Sequence, residues 1–496
     1  MTNLATNLIT TATEHPEQDA LRVNGQGITY AQLHAMAAKV AGTLRANGIE
    51  PGDRVAIILP NVPSFPVVYW GILLAGGIVV PMNPLLKSGE IDFFFTNSGA
   101  KIAFVWPDFA AEAVKGAANS GTRVVQTGAM GPEDFEGGEP ISEPHERADD
   151  DTAVILYTSG TTGRPKGAEL THSNIHLNAL RSASVIQHIT PDDVIMGCLP
   201  LFHVFGLVVG LNAATIAGAP LALIPRFDPA AAIEVIEKEH VTIMQGVPTM
   251  YAAILNHPQS DGMDASSLRV CASGGSAMPL EVMKSFEDKF GCMILEGYGL
   301  SETSPVASFN MPDRERKPGT IGLAIPGCEM RCVDLDGNEV PVGEVGEIAI
   351  RGDNVMKGYW HNPEATAEAI PDGWFRSGDL ATMDDEGYFT IVDRKKDMIL
   401  RGGMNVYPRE VEEVVYAHPD VLEVAVVGIP DELLGEQVGA AVALREGATA
   451  TPEDIIAFTK ERIAAYKYPR KIWVVEALPK GPTGKILRRE VHAPAE

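Results

Sequence analysis

Apolar positions along the chain gather in short runs separated by polar, glycine-rich punctuation. Arg54-Val55-Ala56-Ile57-Ile58-Leu59, Ile102-Ala103-Phe104-Val105 and Ala153-Val154-Ile155-Leu156-Tyr157 run apolar without alternation. Their length and β-branched content predict short, buried strands. Between them the pattern becomes helical. From Tyr30 to Leu44 the chain is alanine-rich with an apolar residue every third or fourth position, until Gly48 and the Pro51-Gly52-Asp53 turn stop it. Strands separated by helices imply a parallel sheet covered on both faces. From about Gly319 to Asp393 the rhythm changes to alternation between Gly and Pro turns, as in Glu344 to Arg351, which predicts a small antiparallel β subdomain. Helix-like segments then return near Arg409 to Ala417 and Pro452 to Ala464.

Two longer apolar stretches, Val67 to Val80 and Val204 to Pro225, bear on a membrane location. The first is too short to span, and the second is broken by Asn212, glycines and proline, where a span needs roughly 20 predominantly apolar residues. Both read as buried helices and strands, and no transmembrane segment is expected. At 496 residues the chain should divide into two or more domains. A net charge of -26 excludes a nucleic-acid partner in the ordinary mode, so any anionic ligand must be met by local basic groups. The five cysteines (Cys198, Cys271, Cys292, Cys328 and Cys332) form no CxxC pair. They suit reduced thiols in a cytoplasmic protein, as does an N-terminus without the charged and apolar regions of a signal peptide.

Chemistry enters at Thr158 to Gly167, which reads Thr-Ser-Gly-Thr-Thr-Gly-Arg-Pro-Lys-Gly directly after a predicted strand. Gly160 and Gly163 free the backbone to turn consecutive N–H groups into one concavity. Thr158, Ser159, Thr161 and Thr162 add hydroxyls, and Lys166 adds positive charge, so the implied ligand is a polyphosphate. The common P-loop needs Gly before its lysine and Ser or Thr after it, whereas Pro165 and Gly167 stand here. Pro165 disfavours helical geometry at Arg164, so no helix should begin directly under the loop. A second dense stretch is Glu296-Gly297-Tyr298-Gly299-Leu300-Ser301-Glu302-Thr303. It is not a dinucleotide fingerprint, because Glu302 stands where a third small residue is required.

Together these stretches resemble the adenylate-forming enzymes, the superfamily of acyl-CoA synthetases, peptide-synthetase adenylation domains and beetle luciferases. The resemblance runs from about Thr29 to Lys485 and implies a large N-terminal adenylation domain over residues 1 to 395, made of parallel α/β sheets with a barrel-like β subdomain at about 319 to 393. A small mobile α+β domain over 396 to 496 would turn about a hinge at Lys396. It further implies that Thr158 to Gly163 and Lys166 hold the phosphates of ATP, and that Gly275, Ser276 and Ala277 border the adenine. Glu296, Gly297, Tyr298 and Gly299 would line the nucleotide, with Tyr298 packing on adenine. Ser301, where most members have Thr, would reach the α-phosphate, and Glu302 would coordinate Mg²⁺, which favours a carboxylate plus phosphate oxygens and waters. Asp379 and Arg394 are placed at the ribose. Lys485, in Pro482-Thr483-Gly484-Lys485-Ile486, matches the mobile catalytic lysine.

His203, among apolar neighbours, reads by itself as a hydrogen-bonded core residue. By resemblance it is a wall or gate of an acyl pocket with Val204, Gly206, Val247 and Gly299. Gly402 and Gly403 would form part of a pantetheine passage, and Lys467, Arg470 and Lys471 could meet the phosphates of CoA or stand as solvated surface. The expected reaction joins a small-molecule carboxylic acid to ATP, giving acyl-AMP and pyrophosphate, and then transfers the acyl group to CoA, with Lys485, Glu302, Lys166 and Ser301 carrying the first step. Apolar flanks at His203 favour a medium- or long-chain fatty acid. An aryl acid of coumarate type, or transfer to a carrier protein, is the alternative, and a homodimer is compatible with all of these. A kinase or nucleotide-binding regulator would use the same glycine loop but leave Lys485 without a task.

Overall fold

A computed structural model describes residues 3–132, 135–158, 164–431 and 433–494. The helix predicted after Thr29 spans Tyr30–Ala46 and is started by a capping box, Thr29 Oγ1 accepting from the Gln32 N–H while Gln32 Oε1 accepts from the Thr29 N–H. Arg54–Ile58, Ile78–Pro81 and Ile102–Val105 are neighbouring parallel strands. Along Arg54–Ile58, Val55 and Ile57 face one core while Ala56 and Ile58 face another, so the apolar run lacks alternation because both faces are covered. The stretch Val67 to Val80 resolves into the helix Ser64–Leu74, buried at every position, and the strand Ile78–Pro81. Among the described residues no helix is long and apolar enough to cross a membrane.

Two large sheets pack against each other through the main core. The seven-stranded sheet carries the hairpin Thr152–Thr158 and Lys166–Thr171 near one edge. The nine-stranded sheet contains a parallel set including Ile243–Gly246, Val270–Ser273 and Met293–Gly299. The carboxyl ends of those three strands lead into the segments singled out for ligand contact, as expected of open α/β sheets. A four-stranded antiparallel sheet of Cys328–Val333, Gly346–Gly352, Phe375–Met383 and Phe389–Arg394 follows.

Residues 319 to 393 are not one sheet. Leu323–Ala324 closes the edge of the nine-stranded sheet, and Gly358–Tyr359 pairs with Lys166–Thr171 of the seven-stranded one. The last part of the chain forms a separate five-stranded sheet with its own core, flanked by helices Pro408–Tyr416 and Pro452–Lys460.

Candidate functional site

The loop singled out first joins two antiparallel strands, with Thr158 opposite Lys166. Lys166 continues as strand, so no helix starts beneath the loop, in keeping with Pro165. Ser159, Gly160, Thr161, Thr162 and Gly163 lie outside the described residues. The flanks point to a common centre. Thr158 Oγ1 donates to Glu302 Oε1 at 3.2 Å, and the Tyr359 hydroxyl donates to the same oxygen at 3.0 Å. The Lys166 ammonium lies 5.1 Å from the centre of the Tyr359 ring. Glu302 is buried in the short turn Ser301–Thr303, with Ser301 half-buried beside it. Tyr359 escaped the sequence reading, because only the pairing of Gly358–Tyr359 with Lys166–Thr171 brings its hydroxyl to Glu302.

A second cluster forms where the nine-stranded sheet meets the four-stranded one. The Tyr298 hydroxyl donates to Asp379 Oδ2 at 2.6 Å, and Arg394 Nε lies 3.2 Å from Asp379 Oδ1. Asp379 and Arg394 face each other across paired strands. Burial raises the Asp379 pKa above the usual aspartate value, while the charge of Arg394 opposes that rise. Tyr298, Asp379 and Arg394 thus form one hydrogen-bonded row along the cleft.

Lys485 reaches this row from the small domain. Gly275 has φ +83°, and a Cβ there would stand 2.7 Å from Lys485 Cε and 3.1 Å from Nζ. Glycine is required both for the backbone and for the lysine that lies over it. The Thr249 hydroxyl donates to the Gly484 carbonyl at 2.8 Å, and Val247 contacts the same turn. Burial, and then the charge of Arg394, push Lys485 down to about 8, partly offset by Asp379. His203 is pushed down to about 3 by burial, with the Lys485 charge adding to it. Its Nδ1 accepts the Phe205 N–H at 3.3 Å, which leaves the proton of the neutral ring on Nε2.

The predicted pocket residues acquire structural reasons. Val204 and Val247 are buried, and Val204 immediately precedes the π-helical segment Phe205–Asn212. A side chain at Gly206 would strike the Pro200 carbonyl, one at Gly297 the Phe309 ring, and one at Gly299 the Pro305 carbonyl. These glycines allow close packing independently of any ligand. Gly275 and Ser276 are exposed on the rim and Ala277 is half-buried.

Glu296 lies deeper than its neighbours in the motif. Its side chain is 2% exposed beneath the rim turn, Oε1 accepts the Met278 N–H at 3.0 Å, and Oε2 has no partner. Burial pushes it up to about 7 against the charge of Arg409, and its carboxyl supports the turn from below.

The basic cluster has protein partners. Lys467 pairs with both oxygens of Glu410 at 2.6 and 2.7 Å, and Arg470 stacks 3.6 Å from the Tyr468 ring centre while donating to the Ala465 carbonyl. Gly402 and Gly403, both at positive φ, form the exposed tip between Ile399–Arg401 and Met404–Val406, and Lys396 is exposed between the domains. A single buried carboxylate at Glu302 suits a Mg²⁺ ion whose remaining ligands are phosphate and water. Among the described residues no group of three or more His, Cys, Asp or Glu gathers for a fully protein-bound metal.

The model of the AMP-binding enzyme family matches residues 8–360, and the model of the AMP-binding enzyme C-terminal domain matches residues 410–485. The chain is 37% identical over 522 aligned positions to a long-chain-fatty-acid–CoA ligase of Bacillus subtilis, covering 98% of this chain and 93% of that protein. It is 39% identical over 478 positions to a feruloyl-CoA synthase of an Amycolatopsis species, covering 96% of each. The crystal structure of ATP-bound MatB from Rhodopseudomonas palustris superposes with a TM-score of 0.90 at 34% identity, covering 99% and 98% of the two chains.

Proposed function

The chain belongs to the AMP-binding enzyme family and is an ATP-dependent acid–CoA ligase, and we propose that its acid is a medium- or long-chain fatty acid activated as acyl-AMP. The seat of Lys485 over Gly275, within electrostatic reach of Asp379, Arg394 and His203, supports the adenylation step, and the observation that carries the fatty acid is the wholly buried apolar segment Phe205–Asn212 beside His203.

Attack of a carboxylate on the α-phosphorus of ATP brings two anions together, and fixed positive charge must remove the repulsion. Lys485, mostly protonated at pH 7 with a pKa of about 8, supplies that charge, and the incoming anions raise its pKa further. The carboxylate oxygen bonds to phosphorus as the bond to pyrophosphate breaks. Lys166 meets the departing phosphates beside Tyr359 and Glu302. A Mg²⁺ ion held by Glu302 would neutralise phosphate charge and orient the pyrophosphate. Asp379 and Arg394 hold the ribose, and Tyr298 closes over the adenine. Neutral His203 offers its Nε2–H at the mouth of the acyl pocket without adding charge. The second step then follows from rotation about Lys396: Lys485 leaves, and the Gly402-Gly403 tip comes in where the CoA thiol attacks the acyl carbon and AMP departs.

Support for an apolar acid comes from the pocket side. Leu199 to Leu211 and Ile243 to Leu255 contain no Lys or Arg, so a second carboxylate would find no partner there. Phe205–Asn212 is buried throughout. A second reading, an aryl acid, is supported by the 39% identity to feruloyl-CoA synthase over 96% of each chain. Turnover with ATP, Mg²⁺ and CoA across acids from acetate to oleate plus coumarate separates the two. AMP and acyl-CoA with one chain-length optimum support the fatty acid, a coumarate preference supports the aryl acid, and ADP as product overturns the mechanism.

A further inference from the structure

Lys485 sits on a tight loop. The Gly481 N–H donates to the Lys485 carbonyl at 2.8 Å, the Gly484 N–H to the Gly481 carbonyl at 2.9 Å, and Lys480 bridges to Ile486. Arg488 stands three residues beyond Lys485, just outside the base of this loop. Arg488 is held on three sides. Its Nε and Nη2 grip Glu412 at 3.1 and 2.6 Å, its Nη1 lies 3.2 Å from Asp393 Oδ1, and the same nitrogen is 3.6 Å from Asp397 Oδ2. These carboxylates lie on opposite sides of the hinge. Asp393 is the penultimate residue of the strand Phe389–Arg394 before Lys396, Asp397 follows Lys396, and Glu412 is on the small-domain helix Pro408–Tyr416.

We infer that Arg488 is a positioning residue: its guanidinium latches the small domain to Asp393 while Lys485 is in the cleft, and the latch opens when the domain turns. The inference rests on the two-step reading above. The ties differ in what rotation does to them. Glu412 and Arg488 ride on the same domain, so their fork persists. Asp393 stays with the large domain, so its bond to Arg488 must break. Asp393 is 3% exposed and also accepts the Arg394 and Arg409 N–H groups, at 2.7 and 2.9 Å. Arg488 is the guanidinium that meets this buried carboxylate, and a buried charge deprived of its partner is costly. The bond therefore favours the docked arrangement selectively and does not stabilise both states alike.

The test measures the two half-reactions separately, pyrophosphate release from acid and ATP, and acyl-CoA formation from supplied acyl-AMP, with Lys485→Ala alongside. Arg488→Gln and Asp393→Asn are each expected to slow the first step about 10- to 100-fold, the range for hydrogen bonds to charged groups. The fall should be in kcat with little change in KM for ATP, the second step should be unchanged or faster, and Arg488→Lys should recover part of the loss. An equal fall in both steps, or in neither, for Arg488→Gln and Asp393→Asn overturns the latch. Should Arg488→Gln not fold, Asp393→Asn carries the same comparison. Loss of both steps in Lys485→Ala would overturn the two-step reading, a result distinguishable from failure of the latch alone.

Discussion

Lys166 and Lys485, the two ammonium groups of the proposed mechanism, stand on supports of opposite kind. Lys166 belongs to a hairpin in a seven-stranded sheet, and its position beside Tyr359 is set by strand pairing within the large domain. Lys485 belongs to a loop of the small domain. It reaches the cleft because Thr249 and Asp393 of the large domain engage Gly484 and Arg488 beside it. On the proposed mechanism, a charge built into a sheet would be present in every step, whereas a charge on a docked loop would be withdrawn between attack on phosphorus and entry of the thiol.

The largest test of that contrast is Lys485→Ala. Acyl-AMP formation should fall by about 10²- to 10³-fold, the usual loss for one preorganised charge-stabilising donor, while thioester formation from supplied acyl-AMP stays near wild type. Equal damage to both steps would abolish the distinction between fixed and withdrawn charge. Lys166→Ala should cost about 10- to 100-fold in kcat/KM for ATP whenever ATP is the substrate, and its effect should not depend on whether the hinge is free to turn. An assay on a variant cross-linked in the docked arrangement would check this.

Asp379→Asn loosens the ties to Tyr298 and Arg394 and is expected to raise KM for ATP about tenfold, as seen by titration with ATP at saturating acid. The pH profile sharpens the comparison further. The protonated lysine is the active form, so kcat/KM for adenylation should decline as pH rises through about 8, the pKa of Lys485 before ligands bind, while the second step shows no matching limb. Stability offers the smallest signal. Glu296 has a folded pKa near 7, above the ordinary carboxylate value, so its contribution is fully present below that ordinary value and is lost as pH rises through about 7. Glu296→Gln should flatten the fall in Tm between pH 5 and pH 8 by about 1–3 °C in calorimetry.

How much of this was legible in the sequence varies with the range of the interaction. Short strands such as Arg54–Ile58 and the helix after Thr29 follow from local pattern, and local motifs singled out Glu302, Asp379 and Lys485. What escaped depends on partners far away along the chain. The alternation around residue 358 reads as antiparallel strand, yet the pattern does not say that Gly358–Tyr359 will pair with Lys166–Thr171 and bring a hydroxyl to Glu302. The pairing of Lys467 could not be read locally, because Glu410 stands 57 residues before it. Glu296 and Tyr298 are two residues apart on one strand, but the first is buried under a turn and the second reaches Asp379, a difference of depth that spacing cannot encode.

The placement of Lys485 beyond every other cleft residue has a consequence for biosynthesis. A chain leaves the ribosome from its N-terminal side, and its domains generally fold as units in that order. The walls built from residues 152 to 394 can therefore assemble while the lysine is still untranslated. A nascent or prematurely ended chain would carry a nucleotide-shaped cleft that lacks the group needed to spend ATP. On the proposed role of Lys485, completion of translation would be the event that arms the enzyme.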